Sequence, residues 1–145
     1  MNLPTKTVEE GEFAGWLYYP EEPFEAKTAG PFFFREDERG PVAAFRVEHK
    51  HLNGAGVAHG GLLMTFADVA LFAIAGPAFA ENEYGFTVAF ASEFLDGPRE
   101  GEYVEARGDL LRAGGTLLFA RGLITAEGRP CLNFSGTIKR IRIKG

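Results

Sequence analysis

Cysteine is nearly absent. Cys131 stands alone among 145 residues, so no internal disulfide can form and the fold must rest on its own core. A single thiol fits a reducing compartment. On a strand it reads as a small packing side chain rather than a nucleophile. Positive charge is also short: 15 Lys and Arg against 20 Asp and Glu leave a net charge of −5. A nucleic-acid role therefore has no electrostatic support. The nearest basic cluster, Lys139, Arg140, Arg142 and Lys144, reads as a solvated strand end. The opening MNLPTKTVEE holds no apolar run of the secretory-signal kind, and a cytoplasmic protein is expected. No GxSxG elbow and no GxxxxGKS loop occur, which removes the usual sequence support for a serine elbow or a phosphate cradle.

Long apolar runs are limited to one. From Gly60 to Ala80 the only charged residue is Asp68. Gly76-Pro77 breaks the run and sheet patterns flank it, so it reads as a buried core helix, about His59 to Gly76, not a membrane span. The rest is mostly period-2 alternation. Phe32, Phe33 and Phe34 open an aromatic strand after Gly30-Pro31, and Val42 to His51 alternates after Gly40-Pro41. Beyond the helix, Phe86, Val88, Phe90, Ser92 and Phe94 alternate with Thr87, Ala89, Ala91, Glu93 and Leu95. Val104 to Leu111, Leu117 to Leu123 and Leu132 to Ile138 follow, separated by Gly- and Pro-rich turns. Val8 to Tyr19 reads as a short helix with Phe13, Trp16 and Leu17 on one side. An apolar helix needs cover on nearly all sides, and the available partner is an antiparallel sheet. The expectation is one α+β domain over 1–145, with 1–29 as an N-terminal extension and a curved sheet of five or six strands around one helix. A second apolar sheet face would pair with another copy.

The chemistry concentrates around the helix start, in His51, Asn53, Gly56, His59, Gly60, Gly61 and Asp68. Gly60 and Gly61 leave backbone N–H groups unblocked at a helix N-terminus, where orphan donors and the helix dipole would stabilise an oxyanion. The plainer reading is a Gly-rich helix start. A lone carboxylate in an apolar helix is costly unless it is used; Asp68 is either a working group or a carboxylate hydrogen-bonded inside an interface. It lies nine residues after His59, about 13.5 Å along a helix and about 180° around it. If both ends serve one reaction centre, Asp68 must meet the helix start of a second copy, two-fold related. His59 is open as a core histidine, a general base or an orienting donor, and Asn53 as a polar site group or an Asn-Gly turn residue. His49 and His51 would share a face on a strand, which leaves a metal pair geometrically open. No acidic or Cys cluster stands at a supporting spacing, so no metal is expected.

The pattern H-x-N-x-x-G-x-x-H-G-G, with Asp68 following inside the apolar helix, resembles the hotdog-fold acyl-CoA thioesterases. It is most similar to the phenylacetic-acid-degradation type of the 4-hydroxybenzoyl-CoA thioesterase superfamily. Gly85-Phe86-Thr87-Val88, Leu95-Asp96-Gly97-Pro98 and the Arg112-to-Gly115 hairpin fall where that family has equivalents, so the resemblance spans about residues 30 to 140. It implies a hotdog fold, homodimers that often pair into tetramers, and active sites at the dimer interface. It implies Asp68 as nucleophile or as the base that activates water, with the Gly60 N–H polarising the thioester carbonyl. His59 and Asn53 would orient substrate and water, and Thr87 would assist the water. Asp68 and Thr87 would come from one chain, Asn53, His59 and Gly60 from the other. Gly61 and Arg112 are the substrate-binding candidates, with the C-terminal Lys and Arg residues as further receivers of coenzyme A phosphates. Coenzyme A is then part of the substrate and no separate cofactor is implied. An acyl-thioester hydratase or dehydratase, or a non-catalytic acyl-CoA-binding regulatory domain, are the alternatives on the same fold.

Overall fold

The computed structural model describes residues 3–144. Its strands are β1 (Lys6–Thr7), β2 (Leu17–Tyr18), β3 (Phe33–Asp37), β4 (Gly40–Arg46), β5 (Glu83–Phe94), β6 (Tyr103–Ala113), β7 (Leu117–Ala126) and β8 (Arg129–Arg142). One helix, α1 (Gly60–Ala75), lies between β4 and β5 and runs on into a 3₁₀ turn, Gly76–Ala78. All eight strands form one antiparallel sheet in the order β1-β2-β3-β4-β6-β7-β8-β5. The architecture is α+β, a sheet wrapped around a central helix, as expected. The expected five or six strands are β3 to β8; the extra two are two-residue strands.

Those two overturn the expected helix over Val8 to Tyr19. Val8 N–H donates to the Trp16 carbonyl at 2.8 Å, and Gly11 and Gly15 take φ values of +87° and +88°, so the segment is a hairpin. Its aromatics are wanted elsewhere. Phe13 stacks on Phe33 at 4.3 Å between centroids, and with Trp16 it buries the face of β4 that carries Val42 and Ala44. The opposite face of β4, Ala43 and Phe45, faces α1. Both faces of this strand are dry, so its alternation had little contrast to show.

Helix α1 packs on β4, β5, β6, β7 and β8. It buries Leu63, Phe66, Ala67, Ala70, Leu71, Ile74 and Ala75. Across the sheet, β6 presents Val104 and Ala106, β7 Leu118, Ala120 and Ile124, and β8 Leu132, Phe134 and Ile138. Leu117, Phe119 and Leu123 lie on the other, outer face and are exposed. Cover of the helix is not complete. Gly61, Met64 and Asp68, spaced as one stripe, stay exposed. The segment Gly60–Ala78 is long and apolar enough to cross a membrane, but here it is sheathed by the sheet.

The helix sits deep because β8 has no side chain at Gly136, where an added Cβ would run into Leu71 Cδ1. Gly136→Ala overpacks this contact and is expected to cost about 1–3 kcal/mol. Chemical denaturation checks it: an unchanged midpoint would show that the helix has room to lift.

Candidate active site

Asp68 is the centre of one cleft. Thr87 Oγ1 donates to Asp68 Oδ1 at 2.6 Å. That hydrogen bond depends on a β-bulge. Strands β5 and β8 pair in step through Thr87 and Ile138, then resume at Ala89 and Thr137, which leaves Val88 as an extra residue. Without the bulge, Thr87 and Phe90 would point to opposite faces. With it, both point to α1 and line the cleft with Asp68. Strict alternation groups Phe86, Val88 and Phe90; the bulge instead leaves Phe86 on the outer face, paired with Lys139. Bulges re-aim side chains beside active sites.

The cleft, about 520 Å³, is completed by Met64 and Val69 of α1 and by Glu22, Phe24 and Glu25. The last three come from the N-terminal segment, where no local pattern marked them; only the fold brings them over. Glu25 opens a single π-helical turn, Glu25–Ala29. Burial, then the nearby charges of Glu22 and Asp68, push its carboxyl up to about 7.

A second cleft lies at the helix start, lined by Asn53, Val57, Gly60, Leu63 and Phe94 among others. No residue lines both clefts. His59 is the N-cap of α1: its Nδ1 accepts from the Gly61 N–H at 3.0 Å. Two consequences follow. The Gly61 amide is already occupied, so of the two glycines it is Gly60 whose N–H has no acceptor among the described residues. And a neutral His59 that accepts at Nδ1 carries its proton on Nε2, as an exposed donor. An added Cβ at Gly60 would meet Phe94 Cε1 at 3.0 Å, so a bare backbone is needed there.

Asn53 is a turn residue that also borders the second cleft. Its Oδ1 accepts from the Ala55 N–H at 2.9 Å and the Val57 N–H at 3.3 Å, an Asx turn that shapes the loop. Its amide Nδ2 has no partner among the described residues and belongs to the lining of the second cleft. Asn53 sits in the loop after a 3₁₀ turn, His49–His51, not at a strand end.

That turn also ends the metal-pair geometry. His49 is exposed, 3.0 Å from Glu100. His51 is buried, with Nδ1 accepting from the Glu48 N–H at 2.9 Å and Nε2–H donating to the Ala29 carbonyl at 2.7 Å. Burial holds its pKa below the usual histidine range. With both ring nitrogens taken, His51 is a clamp. It ties the helix-start loop to the turn that carries Glu25.

Arg112 is exposed and lies on the outer face opposite Phe119, lining neither cleft of its own chain. Of the C-terminal cations, Arg140 holds Glu83 at 3.2 Å and the Ala78 and Gly114 carbonyls, and Arg142 reaches Glu83 at 3.3 Å. Arg140 is thus a part-buried anchor of β8, whereas Lys139, Arg142 and Lys144 are exposed, as expected for a solvated strand end. Cys131 is buried on β8.

Residues 55–132 match the thioesterase superfamily. A Pseudomonas aeruginosa protein that carries an esterase name is 34% identical over 74% of this chain and 81% of its own. The chain belongs to the thioesterase superfamily. A point mutant of the phenylacetic acid degradation protein PaaI of Thermus thermophilus is similar at 26% identity, covering 70% of this chain and 84% of that one with a TM-score of 0.63. The hypothetical thioesterase protein of Streptococcus pneumoniae, solved with coenzyme A, covers 84% of this chain and 95% of that one at a TM-score of 0.70; at 22% identity the likeness is one of fold. This thioesterase superfamily member is thus a hotdog-fold thioester hydrolase.

The raised Glu25 carboxyl has a stability consequence. Unfolded, it loses its proton near the ordinary value of 4.5; folded, it holds it to about 7. The folded state therefore binds more protons between these values, and stability falls as pH rises through that window. Glu25→Gln is expected to raise the thermal midpoint at about pH 8 and to leave it unchanged at about pH 4. Equal shifts at both would assign the effect to packing instead.

Proposed function

We propose that this protein hydrolyses acyl-CoA thioesters to the free acid and coenzyme A, at sites completed by two copies of the chain. The observation that carries this reading is the placement of complementary groups along the two halves of one strand. Asp68 with Thr87 stands on the first half of β5; Gly60 and Asn53 stand beside Phe94, its last residue.

β5 is the last strand of the sheet, so one of its edges is free among the described residues. It is twelve residues long, with Phe86, Val88 and Phe94 exposed. Long apolar edges recruit a partner strand. Two-fold antiparallel pairing of β5 with β5 of a second copy sets the Thr87 half of one strand against the Phe94 half of the other. Each Asp68 then approaches the other copy's helix start. Such a homodimer supplies carboxylate and donors to one thioester, and homotetramers extend it through the remaining exposed sheet face. Of the structural neighbours, the Streptococcus pneumoniae protein was solved with coenzyme A and a Streptococcus mutans protein with acetyl CoA, which supports coenzyme A as the thiol.

The chemistry needs no metal and no separate cofactor. The thioester carbonyl lies against the Gly60 N–H at the positive end of α1, with Asn53 Nδ2 and His59 Nε2–H as further donors to substrate or water. Thr87 occupies Oδ1 of Asp68 and leaves Oδ2 for the reaction. Acting as general base, Oδ2 takes a proton from water while the water oxygen attacks the carbonyl carbon. The C–S bond breaks as the tetrahedral oxyanion collapses, and the thiolate takes up a proton. Acting as nucleophile, the same oxygen attacks the carbonyl itself and water then cleaves the mixed anhydride. Either route needs an ionised Asp68 held by Thr87.

Asp68→Asn is expected to lower kcat for thiol release by about 10²–10⁴-fold with the fold intact. Asn53→Asp keeps the Asx acceptor but loses the donor, and is also expected to be poorly active. Mixing the two variants under subunit exchange should restore activity, on the order of a quarter of wild-type sites, since each heterodimer holds one intact site. Native turnover by Asp68→Asn removes Asp68 from the chemistry. No recovery on mixing, with exchange verified, removes the two-copy site.

A further inference from the structure

We propose that Glu25, with Glu22 beside it, makes the acyl half of the Asp68 cleft reject acyl groups that carry a negative charge, so that the substrates are coenzyme A thioesters of uncharged acyl groups. The inference rests on the acyl-CoA thioesterase reading and goes beyond it by naming the acyl class.

The wall is part of the fold rather than a loose tail. The Ala29 N–H donates to the Phe24 carbonyl at 2.8 Å and the Ala26 N–H to the Glu22 carbonyl at 3.1 Å. The end of the turn is held from β4's side of the molecule: Lys50 Nζ donates to the Gly30 carbonyl at 2.5 Å, and His51 holds Ala29. Glu25 is therefore presented to the cleft by fixed backbone.

Lys27 of the same turn is held by Glu21 and Lys50 by the Gly30 carbonyl, and the charges that act on the Glu25 carboxyl are of one sign. Glu22 faces it from its own segment and Asp68 from α1. The Tyr19 phenol is near enough for both glutamates to push its pKa up, with burial the larger cause. β5 brings Thr87 and Phe90, which are uncharged, and the remaining lining, Phe24, Met64, Thr65 and Val69, carries no charge either. Among the described residues neither Glu22 nor Glu25 forms an ion pair. An anionic group seated here would meet carboxylates across an apolar gap with no counter-charge, an arrangement that selects by repulsion.

The same argument orients the substrate. Coenzyme A carries several phosphate charges and cannot lie along this wall, so its chain must leave the thioester on the opposite side. What remains for the wall to face is the acyl group. Since burial and like charge place the Glu25 titration at about 7, its part of the discrimination grows as pH rises through that value.

The test compares two thioesters of matched length, hexanoyl-CoA and adipoyl-CoA, by kcat/KM of thiol release at about pH 6 and about pH 8. Wild type is expected to prefer hexanoyl-CoA by roughly 100-fold at the higher pH and by less at the lower. Glu25→Gln should narrow the ratio by about tenfold at the higher pH and flatten its pH dependence. Glu22→Gln serves as the second variant should the first not fold. Equal turnover of the two thioesters by wild type, or ratios in both variants equal to wild type, overturns the proposal while leaving the thioesterase reading standing. If wild type hydrolyses neither, that reading falls instead. Discrimination is then read from the affinities of the same two thioesters by calorimetry, where equal values overturn it.

Discussion

The structure depends on one constraint: an almost wholly apolar helix that carries a single carboxylate has to be buried without burying that carboxylate. The sheet solves this by wrapping α1 from β4 round to β5 and stopping there. The stripe left open holds Gly61, Met64 and Asp68. Sinking the helix far enough needs missing side chains opposite it, as at Gly136 beneath Leu71. The same closure that dries Phe66 and Leu71 thus determines where Asp68 emerges. It emerges beside β5, the last strand of the sheet, whose outer edge is free among the described residues.

Within that frame, small local irregularities shape the candidate site. One extra residue at Val88 turns Thr87 toward the helix and gives Asp68 its hydrogen-bond donor. One side-chain cap, His59 on Gly61, takes one helix-start donor and leaves its neighbour at Gly60 without an acceptor among the described residues. Helix N-termini offer several orphan N–H groups, and a cap that takes one of them gives a site a direction. It also fixes which nitrogen of His59 carries the proton in the neutral ring. These are local features with site-level consequences, and neither involves a change in the core.

Much of this was legible in the sequence, and the misses have physical causes. The α+β class, the helix span and the six longer strands follow from period. The separation of His59 from Asp68 follows from helix geometry, and the clefts do lie apart. The hairpin at the N-terminus was misread as a helix because Phe13, Trp16 and Leu17 have helical spacing, while the positive φ of Gly11 and Gly15 has no signature beyond the glycines themselves. The faces of β5 were misassigned because a bulge breaks a strict period of two without a marker residue. Glu22, Phe24 and Glu25 were missed because their contact with Asp68 spans about forty positions of chain, and nothing local anticipates a contact of that range. Arg140 was read as solvated since its partner, Glu83, lies 57 residues away.

The N-terminal segment gathers these strands of argument. Its hairpin dries the outer face of β4 with Phe13 and Trp16, and its turn then crosses to the inner side and stands over Asp68. The match to the thioesterase superfamily begins at residue 55, so this segment lies outside the matched core. On the proposed function, chemistry and selectivity fall to different parts of the chain: the motif around α1 would serve the thioester and the segment before it would face the acyl group. That segment brings Glu22 and Glu25 to the cleft that holds Asp68. Glu25 keeps its proton to about 7 because burial and the charges of Glu22 and Asp68 disfavour its anion. On the proposed reading, the wall repels an acyl anion least while Glu25 is neutral and most once it has lost its proton.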